Sequence, residues 1–316
     1  MMKINLKYKM IWNLNLLFLF FGIQYINSQI PEDKDVVSSI YIYDLEKKQS
    51  INLKTIEKHL EAPNWSVDNQ FLLINSLGKL EKYDLDGNFL DFEDTGELNM
   101  LNNDHGYSFD GKNLFFSTGV SQFDGHSSFI YMKSLDENKI ELLTDLTPSY
   151  WHGVSPDGKY IVYCAERGGE YDVYKLDIET KNEVRLTFNE GLDDGPEYSP
   201  DGKYIYYNSF KTNSMQIWRM FPDGSNQEQM TFDSYSNWFP HISPKNDYAV
   251  VISYIENQGQ SHPFGRMVKL RLLNLKDKSI VDLTEPFYGG QGTINVPSWN
   301  KEGTKFAYIR YSLKSK

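Results

Sequence analysis

Apolar and polar positions alternate along this chain in short runs, and the runs recur on a regular spacing. Phe71-Leu72-Leu73-Ile74, Leu114-Phe115-Phe116, Tyr160-Ile161-Val162-Tyr163-Cys164, Tyr204-Ile205-Tyr206-Tyr207 and Ala249-Val250-Val251-Ile252 are the clearest. They are too short for helices and rich in β-branched and aromatic residues, so they read as strands. Each follows a turn signal. The signals are Ser66-Val67-Asp68-Asn69, Ser108-Phe109-Asp110-Gly111, Ser155-Pro156-Asp157-Gly158, Ser199-Pro200-Asp201-Gly202, Ser243-Pro244-Lys245-Asn246 and the degenerate Asn300-Lys301-Glu302-Gly303. Successive signals are offset by 42, 47, 44, 44 and 57 residues. A period in the forties, with a turn followed by apolar alternation, predicts propeller blades. Pro presets φ, Asp bonds its own backbone and Gly supplies φ > 0, so these aspartates read as turn-formers.

A third strand follows after a short gap, as in Tyr171–Leu176 or Met215–Met220. A fourth closes the unit, as in Glu183–Thr187 or Gln227–Thr231. With the strands of a blade lettered A to D from the inside, the serine turn joins A to B. The chain ends complete each other. Only a B strand, Lys305–Arg310, follows the sixth signal, and two orphan strands, Ser39–Asp44 and Ser50–Leu53, precede the first. The expectation is an all-β, six-bladed β-propeller over residues 29–316, its last blade closed by strands from both termini. Closure of that kind hides the sheet edges.

The first 28 residues read differently. Lys3, Lys7 and Lys9 precede an apolar run from Ile11 to Gly22, and Ser28 is a small residue at a cleavage position. This is the pattern of a secretory signal peptide, 1–28, and places the protein in the periplasm or secreted. The run is too short for a membrane span, so an integral membrane protein is not expected. The single cysteine, Cys164, lies inside an apolar strand and reads as a buried thiol. The formal net charge is −11 with no basic stripe, which argues against nucleic acid as a partner. A monomer is expected.

Candidate chemistry concentrates on one face. In an up-and-down blade the B–C turns and D–A links share the face opposite the serine turns. That face collects Tyr150-Trp151-His152, Arg167, Asp193-Asp194, Trp238, His241, His262, Tyr288, Gln291 and Asn295. Binding residues gather on such loops. His152, His241, His262 and Gln291 are candidate ligands for a divalent metal, Mn, Ca or Zn. His152 or His241 could serve as a base, with Arg167 holding a carboxylate. Trp151, Trp238, Asp193, Asp194 and Asn295 are candidate ligand contacts. Each has a plainer use: imidazoles bonded to loop carbonyls, tryptophans packed along the channel, one of the two aspartates tying adjacent blades. Alanine at His152, His241 or Gln291 is expected to remove binding with little loss of stability.

The repeated Ser-Pro-Asp-Gly-Lys-Tyr signals, the lead-in Asp193-Asp194-Gly195-Pro196 and the third strand Gln216-Ile217-Trp218-Arg219 resemble the TolB-type propeller repeat. The likeness covers roughly residues 36–316. The same repeat occurs in propellers of dipeptidyl peptidases and of oligogalacturonate lyases. TolB itself has an α/β domain before its propeller, whereas here the leader runs almost directly into the first strand. The lyases imply seven blades and a His/Gln metal site, and here six blades are counted. Two functions stay open. One is a binding module for a glycan, peptide or envelope partner at the channel mouth. The other is a metal-assisted lyase acting on a uronate oligosaccharide.

Overall fold

The structure is a computed structural model, and it describes residues 35–119 and 127–314. The leader 1–28 lies outside the described residues. The chain opens with β1 (Val36–Asp44) and β2 (Gln49–Ile56). Blade 1 is β3 (Glu61–Trp65), β4 (Phe71–Ser76), β5 (Lys79–Asp84) and β6 (Phe89–Phe92). Blade 2 is β7 (Leu101–Tyr107), β8 (Asn113–Gly119), β9 (Ser128–Ser134) and β10 (Lys139–Leu142). Blade 3 is β11 (Ser149–Val154), β12 (Tyr160–Glu166), β13 (Tyr171–Asp177) and β14 (Glu183–Arg185). Blade 4 is β15 (Asp193–Tyr198), β16 (Ile205–Ser209), β17 (Gln216–Met220) and β18 (Glu228–Gln229). Blade 5 is β19 (Ser236–Ile242), β20 (Tyr248–Tyr254), β21 (Arg266–Asn274) and β22 (Ile280–Asp282), and β23 (Phe287–Gly289) also pairs with β21. The sixth sheet runs β2–β1–β24, with β24 spanning Lys305–Leu313. Its innermost element is the single bridge of Trp299 to Phe306. The described residues form an all-β, six-bladed propeller whose last blade is built from both ends of the chain.

The six A–B turns share one hydrogen-bond scheme. The first residue's carbonyl accepts from the N–H three residues on, at Asn69, Gly111, Gly158, Gly202, Asn246 and Gly303, over 2.8–2.9 Å. Those six acceptor-seeking residues all have φ between 58° and 71°, which explains the Gly/Asn choice. The serine hydroxyl then receives the first N–H of the B strand, 3.0 Å from Phe71, Asn113, Tyr160 and Tyr204. In the degenerate sixth turn the Asn300 carboxamide oxygen takes that place, receiving Thr304 and Lys305 N–H at 2.9 and 2.8 Å.

A second repeated device sits at the outer rim. Thr144, Thr187, Thr231 and Thr284 each accept a C-strand N–H through Oγ1, at 3.0, 2.9, 2.9 and 3.0 Å. These bonds continue the ladder where the short D strands end, so a C-strand N–H is not left buried without an acceptor.

Each inner strand of blades 1 to 5 carries a β-bulge at its mouth end. In blades 1, 4 and 5 the residue before the proline of the bulge has positive φ: Ala62 at 54°, Gly195 at 60° and Phe239 at 50°. A bulge re-aims the side chains around it. The blades pack through apolar clusters between neighbouring sheets. Trp151 stacks on Phe115 at 5.8 Å, and a Cβ on Gly106 would come within 2.4 Å of the Trp151 ring, so only glycine admits it.

Nine register pairs join β1 to β24, from Val36 with Leu313 to Asp44 with Lys305. Removal of the last ten residues, 307–316, deletes seven of those nine pairs together with the buried side chains of Ala307, Tyr308, Ile309 and Tyr311. At roughly 2 kcal/mol for each large apolar side chain, the loss is on the order of a typical net stability. The truncated protein is expected to show no cooperative melt by circular dichroism. A melt like that of the intact chain would show that the two-ended blade is dispensable.

Candidate functional site

The bulged ends of the inner strands and the long links of blade 5 meet on the face opposite the serine turns. Asp194 stands at the centre. Its Oδ1 lies 3.0 Å from His152 Nε2 and receives the Gly195 N–H at 2.7 Å. Its Oδ2 lies 3.7 Å from His262 Nε2. Three blades therefore supply one cluster: His152 from β11, Asp194 from β15, and His262 from the link after β20. The rings are held by packing. His152 lies nearly parallel to Phe239 at 5.9 Å, and His262 meets Trp238 edge-on at 4.7 Å and Phe239 at 5.2 Å.

The electrostatics separate the members. Burial favours a neutral Asp194, but the His152 charge beside it, with help from His262 and the Gly195 N–H, outweighs burial and holds its pKa at about 2. Burial opposes a charged His152, yet Asp194, with Asp104 and Glu197 further off, raises its pKa. His262 goes the other way: burial lowers its pKa, the Asp194 charge offsets part of this, and the His152 charge lowers it further. Asp194 thus stands between two imidazoles whose pKa values are pushed in opposite directions.

Asp104 from β7 was not among the residues singled out from the sequence. It is 5% exposed and makes no salt bridge among the described residues. Burial pushes its pKa up to about 7; the His152 charge offsets part of this, and the carboxylates of Asp194 and Glu61 add to it. Asn102 is the side chain that reaches it. The field of these carboxylates is felt across the mouth. Burial first, and then Tyr171 and Asp104, raise the pKa of Tyr150. Burial first, and then Asp194 and Asp104, raises that of Cys164. Glu61 acts on Tyr311 in the same sense, after burial.

His241 is built into a different contact. Its Nδ1 lies 2.8 Å from Glu197 Oε2 and its Nε2 lies 3.0 Å from the Ile294 carbonyl. Glu197 Oε1 accepts the Ile242 N–H at 2.8 Å, and Trp299 Nε1 donates to the His241 carbonyl at 2.8 Å. With both ring nitrogens facing acceptors, His241 ties blades 4, 5 and 6 together. Glu197 occupies the inward slot held by Asn64, Gly106, Gly153, His241 and Ser298 in the other blades, and a carboxylate in that slot was a signal present in the sequence.

Several expected contacts are corrected. Trp151 and Trp238 are 1% and 0% exposed, so neither offers a face to a ligand; they are packing residues. Arg167 is fully engaged near the rim. It contacts both carboxylate oxygens of Glu183 at 3.2 and 3.0 Å, the Pro148 and Glu166 carbonyls at 2.9 Å, and Ser149 Oγ at 2.8 Å. Asp193 points between blades, taking Asn189 Nδ2 at 3.2 Å, and its neighbour Asp194 is the one at the mouth. Asn295 Oδ1 caps the Gly292 N–H at 2.7 Å. The four proposed metal ligands do not form one set. His152 and His262 share Asp194, His241 is bound on both nitrogens, and Gln291 is placed by its N–H to the Pro263 carbonyl at 3.4 Å. Among the described residues no group of three or more His, Cys, Asp or Glu is arranged to hold a metal ion.

The expected stability of mouth variants also changes. His152 is 7% exposed and His241 4%, so each removal leaves a buried carboxylate without its partner. Such losses cost about 3–5 kcal/mol. By contrast the Gly290 region lies tight on the neighbouring link, where a Cβ at Gly290 would sit 2.2 Å from the Pro263 carbonyl. The two long links, around His262 and around Gln291, are thus packed on each other as one wall.

These features define a class: a closed six-bladed propeller with a repeated structural face and an ionised mouth on the other. The family model described as the TolB beta propeller domain, PD40, matches residues 106–276. An uncharacterised Agrobacterium fabrum protein, Atu1656, is 42% identical over 275 residues, covering 87% of this chain and 92% of that one. The chain belongs to the TolB-type PD40 β-propeller family. A solved structure from Agrobacterium tumefaciens, of a protein named there as a candidate TolB, superposes with a TM-score of 0.82 at 41% identity, over 88% of this chain and 99% of that one. An oligogalacturonate lyase solved in complex with manganese superposes with a TM-score of 0.50 at 13% identity, over 78% of this chain and 66% of that one, a likeness of fold alone.

The raised carboxyl of Asp104 gives a pH-dependent expectation. Its folded pKa of about 7 lies above the unfolded value of about 3.9, so the folded state holds the extra proton between them. That contribution to stability is full below about pH 4 and is lost as pH rises through 7. Asp104→Asn removes the penalty. The variant is expected to melt higher than the parent at pH 8, by an amount on the order of 2 kcal/mol, and to match it at pH 4. Equal melting temperatures at pH 8 would show that the carboxyl is ionised without cost.

Proposed function

We propose that this protein is an exported propeller that binds a partner, a glycan, a peptide or an envelope protein, at the mouth formed by blades 2 to 5. One observation carries the reading. His152, Asp194 and His262 come from three separate blades and meet at one carboxylate, although the blades fold on other contacts. Buried ionisable groups cost stability unless paired, and local folding does not call for them. The opposite face repeats one turn six times, as a structural device does.

Binding is favoured over uronate lysis by the same residues. Arg167, the expected carboxylate holder, is engaged by Glu183. The mouth presents Glu61, Asp104, Asp194 and Glu197, and such a field repels the carboxylate of a uronate. A rigid ring with a preorganised polar centre suits recognition, because little is lost in ordering it on binding. The leader pattern of residues 1–28 supports a place outside the cytoplasm, in the periplasm or secreted. Among the described residues no helix is long and apolar enough to cross a membrane.

Two measurements test this. His262 is 23% exposed and Gln291 half-buried, so alanine at either is expected to shift the melting temperature little. Both variants are expected to lose retention on the glycan and peptide arrays that hold the parent, whereas Lys203→Ala on the serine-turn face is expected to keep it. Retention unchanged in both mouth variants would move the site elsewhere. N-terminal sequencing of protein from the expressing cell is expected to start near Gln29, and an intact Met1 on the mature chain would overturn the export assignment.

A further inference from the structure

We infer that blade 6 carries a further binding site, built from none of the mouth residues, for a small carboxylic acid that bears hydroxyl groups. Arg310 on β24 is its centre. The chain has six arginines. Four of them reach a carboxylate: Arg167 with Glu183, Arg185 with Asp172, Arg219 with Glu228 and Arg271 with Asp233. Arg266 is exposed. Arg310 is half-buried between blades 5 and 6, yet among the described residues it makes no ion pair. Its guanidinium carbon lies 4.5 Å from the Tyr41 ring of β1 and 4.6 Å from the Phe287 ring of β23. Nε and Nη2 both donate to Tyr308 OH, at 3.1 and 2.7 Å, and Nη2 also lies 3.5 Å from Ser50 Oγ. Nη1 donates to no described residue. A guanidinium whose plane is fixed by stacking, with an end left unengaged, suits a planar two-oxygen acceptor.

A second, independent feature points to the hydroxyl groups. Ser39 is the register partner of Arg310 on one side and of Thr55 on the other. The three side chains therefore stand in one row across β24, β1 and β2, on one face of the sheet. Two strand spacings separate the ends of the row by about 10 Å, the reach of a short polyhydroxy chain. Ser39 Oγ and Thr55 Oγ1 are 2.9 Å apart, and Asn52 Nδ2 donates to Thr55 Oγ1 at 3.2 Å. Asn52 and Thr55 are exposed and Ser39 is half-buried, so the row is open to water. The other end of the same face is apolar: Tyr43 stacks on Phe306 at 5.3 Å, and both are buried. An outer strand calls for polar side chains, but not for an arginine without a counter-charge. A carboxylate on Arg310, with hydroxyls over Ser39, Asn52 and Thr55, engages the whole row. The net charge of −11 opposes the approach of an anion, so the binding is weak.

The test uses the full chain and a ligand-observed NMR titration with four probes: gluconate, acetate, glucose and inorganic phosphate. Gluconate is expected to bind with a Kd on the order of 1 mM, acetate about tenfold more weakly, and glucose not measurably. Arg310→Lys keeps the charge and removes the planar fork, and is expected to weaken gluconate about tenfold. Thr55→Val, at an exposed position where substitution costs little stability, is expected to bring gluconate down toward acetate and leave acetate unchanged. Gluconate binding that survives Arg310→Lys would overturn the site, and its loss in His262→Ala instead would put the acid at the mouth. Should Arg310→Lys fail to fold, Thr55→Val decides: gluconate binding equal to the parent's overturns the inference. Phosphate bound more tightly than gluconate would overturn the carboxylate assignment, and glucose bound as tightly as gluconate the anionic one. No binding of gluconate to the parent would overturn the inference itself.

Discussion

The antiparallel pairing of β1 with β24 is the contact on which the other features depend. Five blades are each made from consecutive chain and could form locally. The sixth exists only because residues 36–44 find residues 305–313 across nearly the whole length of the chain. Side chains reinforce the seam: Tyr311 OH donates to the Leu60 carbonyl at 2.9 Å, and Lys301 N–H to Asn69 Oδ1 at 3.0 Å, joining blade 6 to blade 1. Contacts of such sequence separation carry the full loop-closure cost before they return anything. Once made, they leave no open sheet edge between the blades and fix the radius at which the inner strands stand.

That radius is what makes the mouth. Inner strands held at a set distance bring side chains from blades 3, 4 and 5 to a common carboxylate, and the bulges re-aim the side chains around it. Phe239 shows the cost and its use together. It sits at φ 50°, unusual for a bulky residue, and its N–H is held by Asn208 Oδ1 at 3.1 Å. In that position its ring backs both His152 and His262. Strain in the backbone of blade 5 is converted into the placement of two imidazoles.

The fold was legible because its signals are local and repeated. Ser, Pro, Asp and Gly in sequence specify a turn without reference to anything distant, and the orphan strands at the two ends follow by counting. Even the degenerate turn was readable, since a carboxamide oxygen at Asn300 can do what a serine hydroxyl does. The site was legible only as a face. Sequence placed His152, His241 and His262 on one side of the ring, and two of the three share Asp194. It could not tell that Arg167 turns back to Glu183, or that Trp151 and Trp238 fill the space between blades, because both depend on packing between segments far apart in the chain. Asp104 was passed over since nothing in Asn102-Asn103-Asp104-His105 marks it; its importance comes from what the other blades put around it.

The contrast between the two carboxylates of the mouth bears on what kind of protein this is. Asp194 is answered: against burial, His152 foremost, then His262 and the Gly195 N–H, hold its pKa down. Asp104 is buried as well, and there burial outweighs the His152 charge and the Asn102 hydrogen bond and raises its pKa. A catalytic site commonly sets two titratable groups apart so that one gives and the other takes a proton, and this pair has that separation. Yet a proton shuttle also needs a substrate group to act on and a donor to steady the charge that develops. Here the one guanidinium proposed for that task is held by Glu183, and the remaining charges at the mouth are predominantly negative. The binding role proposed for the mouth draws on this contrast, since a rigid ring loses little freedom on receiving a guest.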